Sequence, residues 1–215
     1  MLHSRVMDKM LILRSLISLL ILTTPVYASI GEIAQHKGSS VVEREQLKYD
    51  GEVGLGLEMN DRIITGKGSL RMDFVDDTRV DVTEHSRMTI DEFIYDPNTK
   101  TGALSMKATL GAVRYASGQI AKNSRQRVNI RTPSATINVR GTDFMMIIDE
   151  VGGSMITLLP SCDASGQCVV GEISVESDVG QIIMNQAYQT TRLLQMCLIW
   201  QNSMVPTAAG QQHQL

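Results

Sequence analysis

The sequence predicts an all-β fold, with short strands stacked as a β-solenoid-like, roll-shaped or sandwich body and a short helix or strand at the C-terminus. Three observations lead there. From about residue 40 to 185, apolar and polar side chains alternate in short runs. Turn-forming residues interrupt those runs at intervals of roughly 8 to 12 residues. No run in this region sustains a 3.6-residue apolar stripe for three turns, so helices should be few.

In chain order, residues 1–28 are set apart first. His3, Arg5, Lys9 and Arg14 precede the apolar run Leu16 to Leu22, and Val26-Tyr27-Ala28 places small residues where a signal peptidase cuts. A cleaved export signal ending at Ala28 is the expectation, which leaves a periplasmic or secreted chain with no integral span. An uncleaved inner-membrane anchor is the alternative, though Arg14 holds the apolar stretch below the roughly 20 residues a bilayer needs. The expected organisation is then a β domain over 29–189 and a C-terminal segment with a polar tail over 190–215.

In Ser69 to Val75, Leu70, Met72 and Phe74 share one strand face and Arg71 and Asp73 the other. Val80 and Val82 repeat the pattern after Asp76-Asp77-Thr78. Met88 and Ile90 follow, then a turn at Asp96-Pro97-Asn98, then Leu104, Met106, Ala108 and Leu110. Thr132-Pro133 suits a strand end, because proline has no amide to donate. In RTPSATINVRGTDFM, Ala135, Ile137 and Val139 line one face and Phe144 resumes it after a turn. Leu193, Leu194, Cys197 and Leu198 could share a helix face over 190–202, with a final strand as the alternative.

Charge is uneven along the chain. Residues 43–99 hold 14 acids and 7 bases, whereas 107–141 hold Lys107, Arg114, Lys122, Arg125, Arg127, Arg131 and Arg140 and no acid. The two stretches can neutralise each other across neighbouring strands. The other account is a cationic strip for an anionic ligand, with Arg125, Arg127 and Arg131 on one strand face and Arg140 nearby. Without residues 1–28 the chain carries 17 basic and 22 acidic side chains, and few aromatics, which argues against nucleic acid as a partner.

Cys162 and Cys168 bracket a polar loop between apolar runs, so a disulfide across a hairpin neck is chemically sensible in an exported chain. Free thiols are the alternative, and zinc lacks a second ligand pair nearby. Cys197 is left over. His36, His85 and His213 are scattered, and the chain has no G-x-S-x-G, H-E-x-x-H or phosphate loop. Asp76, Asp77 and Asp81 cluster oxygen ligands that could hold calcium, but a solvated turn is the plainer reading. No catalytic residue, metal or cofactor is assigned.

Two segments, LEMNDRIITGKGSLRMDFVDDTRVDVTEHSRMTI from Leu57 to Ile90 and VNIRTPSATINVRGTDFMM from Val128 to Met146, together resemble the FecR domain family over roughly residues 55–150. The resemblance implies an extracytoplasmic β module of bacterial envelope signalling proteins. It makes Gly141, Thr142 and Asp143 a structural turn, with Phe144 sealing the next core layer. Asn60 and Asp77 stand where the family usually has glycine, and both tolerate left-handed backbone. The family's sigma-regulating members have a cytoplasmic domain ahead of a membrane span. With about 28 residues ahead of the β module, that relay is not expected. The expected function is a non-enzymatic exported binding or sensing module that contacts an envelope protein or an anionic envelope glycan. A structural or assembly component of the cell surface is the alternative. Its contact surfaces would be an open strand edge and the arginine face.

Overall fold

The computed structural model describes residues 29–124, 127–163 and 165–195. The proposed signal, Arg125 and Cys197 lie outside the described residues. The strands are β1 (Gly31–Arg44), β2 (Leu47–Asp50), β3 (Gly56–Leu57), β4 (Arg62–Phe74), β5 (Arg79–Val82), β6 (Arg87–Asp96), β7 (Thr101–Ala116), β8 (Val128–Arg131), β9 (Thr136–Arg140), β10 (Asp143–Ile148), β11 (Ser154–Leu159), β12 (Ser161–Cys162), β13 (Cys168–Val169), β14 (Glu172–Ser177), β15 (Gly180–Met184) and β16 (Thr190–Leu193). One short helix, α1 (Gln119–Asn123), buries Ile120 and Ala121. The all-β expectation holds, in a barrel-like folded sheet.

Three long strands organise everything else. β1, β4 and β7 each pass through two limbs of one continuous sheet. In the first limb the order is β3, β1, β4, β5, β7, β10, β11 and β16. In the second limb it is β2, β1, β4, β6, β7, β8, β9, β14 and β15. All of these pairings are antiparallel except that of β7 with β8. The limbs fold onto a shared core.

Each long strand crosses between limbs through a bulge, and the apolar pattern records it. Register shifts lie between Ile33 and Gln35 and between Gly38 and Ser40 where β1 pairs β4, and between Arg87 and Met88 where β6 pairs β7. An extra residue exchanges inward and outward positions, so buried side chains must change parity to keep facing the core. In β4 the buried set passes from Ile63 and Thr65 to Leu70, Met72 and Phe74, and in β7 from Leu104, Met106 and Ala108 to Val113 and Tyr115. Leu110, placed on the first face by strict alternation, falls at this change and is half-buried.

The core holds two aromatic pairs, Phe74 with Phe93 at 5.4 Å and Tyr115 with Phe144 at 5.3 Å. Tyr115 is wholly buried and its hydroxyl meets no hydrogen-bond partner among the described residues. Thr78 and Ser117 lie near, but they donate to Asp76 and to the Thr142 carbonyl. Burial pushes the phenol pKa well above its ordinary value. Removing an unsatisfied buried hydroxyl removes a desolvation cost, so Tyr115→Phe should be more stable by about 1 kcal/mol. A urea unfolding midpoint that rises at unchanged slope is the expected readout, and a clear fall would contradict it.

Of the 190–202 segment, Thr190–Leu193 forms a strand paired antiparallel with β11, and residues 196–202 lie outside the described residues. Among the described residues no helix is long and apolar enough to cross a membrane, which says nothing of strands.

Candidate binding surface

The Arg-Gly-Thr-Asp turn between β9 and β10 is built as architecture. Gly141 has φ +59°, a conformation a side chain would strain. The Thr142 hydroxyl donates to the Leu159 carbonyl at 3.1 Å, and the Asp143 carboxylate accepts from the Ser117 amide at 3.2 Å and the Ser161 hydroxyl at 2.5 Å. Phe144 is fully buried beneath them. Asn60 and Asp77 take φ values of 68° and 67°, the left-handed geometry their positions demand. Asp76, read from sequence as belonging to a solvated turn, is instead fully buried.

The arginines lie on the outer face of the second limb. β8 turns Val128 and Ile130 inward, which leaves Asn129 half-buried and Arg127 and Arg131 exposed on the opposite face. Arg131 meets Asp91 of β6 at 2.7 Å, and Arg140 meets its cross-strand neighbour Glu172 of β14 at 3.1 Å. Arg127 has no ion-pair partner among the described residues. Neutralisation between the acidic and basic stretches is therefore present at Arg131, whereas Arg140 is paired by Glu172 from outside the acidic stretch. Such half-exposed pairs are worth about 0 to 1 kcal/mol, so an anionic group can still compete for them. A shallow depression of about 270 Å³ beside Arg140 is lined by Asn138, Glu172, Ser174, Glu176 and Gln181.

Sheet edges differ in how they are guarded. β2 carries Lys48, β16 carries Arg192 and β3 is two residues long, each a common way to discourage pairing. β15, Gly-Gln-Ile-Ile-Met, carries no charge. Its Ile182 and Ile183 are 43% and 54% exposed, and Val179 in the preceding turn is 79% exposed. Alternation in Glu172–Ser177 buries Ile173 and Val175. That burial fixes β14 against β9, and β15 is thereby left as the outermost ladder.

Cys162 and Cys168 are disulfide-bonded, across a β12 and β13 ladder separate from the main sheet. In the loop they close, Asp163 accepts from the Ser165 hydroxyl and from the Ser165 and Gln167 amides. The Ser165 hydroxyl above all lowers its carboxyl pKa, so this support is present above the ordinary carboxylate range and is lost as pH falls through the lowered value.

Among the described residues no group of three His, Cys, Asp or Glu is placed to hold a metal ion. Residues 61–160 match the model of the FecR protein family. Those residues form a FecR domain. The matched segment runs from β4 through β11, so β14, β15 and β16, with the unguarded edge, follow the FecR segment. Two crystal structures from Parabacteroides distasonis, at 1.65 and 2.50 Å, each provisionally described as an anti-sigma factor, are 12% and 11% identical to this chain with TM-scores of 0.42 and 0.45. Each match covers 62% of this chain and 54% of the other, so the chain spans about half the length of these neighbours. Curated proteins contain no match.

Proposed function

We propose that this FecR-domain chain is an exported, non-enzymatic sensing module that takes up an extended segment of an envelope protein along β15. The exposed uncharged edge of β15 carries the reading, because unpaired backbone donors and acceptors beside isoleucines are what an added strand needs. The arginines two and three strands from β15, Arg140 at β9 and Arg127 and Arg131 at β8, favour a partner whose further surface is acidic or bears anionic glycan. The β-rich FecR domain supports a signalling role over a catalytic one.

Ile183→Lys places a charge on the open edge at an exposed position, where it should leave the fold intact. The full chain is expected to capture a distinct partner from envelope extract, Ile183→Lys to lose at least about tenfold of that affinity, and Arg127→Glu with Arg131→Glu to lose less. The same edge would also accept a second copy of the chain. If wild type captures only its own copies and sediments as an assembly that Ile183→Lys dissolves, the structural-component reading replaces the sensing one.

A further inference from the structure

A polar hollow of about 350 Å³ opens on the outer face of the first limb, beside the disulfide-closed hairpin. Cross-strand register builds it. Arg71, Asp81 and Arg114 form one outward-facing row across β4, β5 and β7, and in the next row Arg79 stands opposite Ala116. The Ala116 methyl is short where the side chains around it are long, so the sheet is left with a depression at that point. The helix α1 brings Lys122 to one rim, and Pro160, Ser161 and Cys162 form another.

The hollow is lined by four cations and three carboxylates, and the carboxylates are the better satisfied. Asp81 accepts from Arg71 Nε at 2.5 Å, and Asp77 accepts from the Gln119 side-chain amide at 3.1 Å. Asp143 accepts from the Ser117 amide and the Ser161 hydroxyl, and it lies 3.8 Å from Arg114, beyond hydrogen-bond reach. Arg79 donates through Nε to Asp73 at 3.1 Å. Arg71 and Arg79 thus spend Nε alone. Among the described residues, their terminal guanidinium nitrogens, the Arg114 donors and the Lys122 ammonium meet no hydrogen-bond acceptor.

We infer that this hollow binds a phosphoryl group, either inorganic phosphate or the terminal group of a small phosphate ester. The geometry selects the class. Donors arrive around the bowl from three strands and a helix, and a tetrahedral anion offers acceptor oxygens on every side. A carboxylate is planar, and one arginine fork satisfies it. The volume lies at the small end of the about 300 to 1,000 Å³ usual for ligand sites, which suits one charged group with a short substituent. Ser161 is a positioning residue here: its hydroxyl holds the Asp143 carboxylate, which leaves the Arg114 fork open to the ligand. The hollow belongs to the first limb, whereas β15 and Arg131 belong to the second, so it rests on neither surface proposed above.

The test titrates inorganic phosphate into the full chain at fixed ionic strength and follows the amide resonances of Ala116, Ser117 and Ser161. Saturable binding at one site per chain is expected. Arg114→Gln with Lys122→Gln should weaken it at least about tenfold. Ala116→Leu should do the same, because it fills the hollow and leaves every charge in place; Ala116 is half-buried on the outer face, so far-ultraviolet circular dichroism should be retained. Arg127→Gln with Arg131→Gln should leave the affinity unchanged. Glycerol phosphate as a second probe separates the sources: tighter binding than phosphate assigns the hollow to esters, and weaker binding to the free ion. Shifts that never saturate, affinity indifferent to Ala116→Leu, or affinity lost in the Arg127 and Arg131 variant overturn the inference. Because no protein partner enters the readout, failure here and failure of the partner-strand reading are separately visible.

Discussion

Asp76→Ala should destabilise the chain by about 3 kcal/mol and free α1 from the sheet, a large effect for one surface-turn position by sequence. Its buried carboxylate accepts from the Thr78 amide at 3.1 Å, the Thr78 hydroxyl at 2.8 Å and the Ile120 amide at 3.2 Å, and its carbonyl accepts from the Gln119 amide at 2.7 Å. Alanine leaves the three side-chain-bound donors without an acceptor in a site closed to water, at about 1 to 3 kcal/mol each before relaxation. Gly118 completes the node: a Cβ there would lie 2.3 Å from the Thr78 amide nitrogen and 2.4 Å from the Asp76 carbonyl. Gly118→Ala should therefore resemble Asp76→Ala, while Asp76→Asn, which keeps one acceptor oxygen, should cost about half as much. Urea unfolding followed with amide exchange at Ile120 decides it. Intact protection at Ile120 in Asp76→Ala would sink the account.

Asp61→Ala should cost about 3 to 5 kcal/mol, because it strands a largely buried guanidinium. Arg44 meets the Asp61 carboxylate twice at 2.7 Å, pairs also with Glu58, donates to the Gly56 carbonyl at 2.8 Å and lies 5.2 Å from the Tyr49 ring centroid. The hydrogen bonds that Arg44 donates to the Asp61 carboxylate are the main reason the guanidinium pKa is raised further. The cluster ties β1 to the turn ahead of β4, so its loss should loosen β2 and β3 first. Replacing both partners, Arg44→Met with Asp61→Leu, should recover most of the loss, since a buried pair exchanged for apolar side chains is often near neutral. If the double variant is no more stable than Asp61→Ala in chemical denaturation, the destabilisation has another origin.

How far the sequence could be read follows from the range of each interaction. Alternation set the faces of β4, β5, β8 and β9, because side-chain period within one strand is local. Left-handed turns at Asn60, Asp77 and Gly141 were legible for the same reason. The parity changes in β1, β4 and β7 are also written in the sequence, as Thr65 to Leu70 and Ala108 to Val113, but they read as noise until the bulges give them meaning. The helix α1 is too short for a stripe and is held by Asp76, more than 40 positions away. Of the basic residues, alternation placed Arg127 and Arg131 outward, but their neighbours were not foreseeable. Arg140 meets Glu172 only because β14 returns beside β9, and Arg131 meets Asp91 across the β6, β7 and β8 pairings. The open edge was anticipated as a kind of surface; which strand provides it depends on topology.

The three strands shared by both limbs also decide how this body would bear a mechanical load. A partner that draws on β15 at right angles to its length strains the ladders to β14, β9, β8 and β7 in series, and ladders loaded across the strands unzip by single hydrogen-bond pairs in succession. The same force along β1, β4 or β7 must shear many bonds together. The outer strands therefore form a peelable margin on a stiff trunk, and traction at β15 would shed β15 and β14 while the FecR segment from β4 to β11 kept its core.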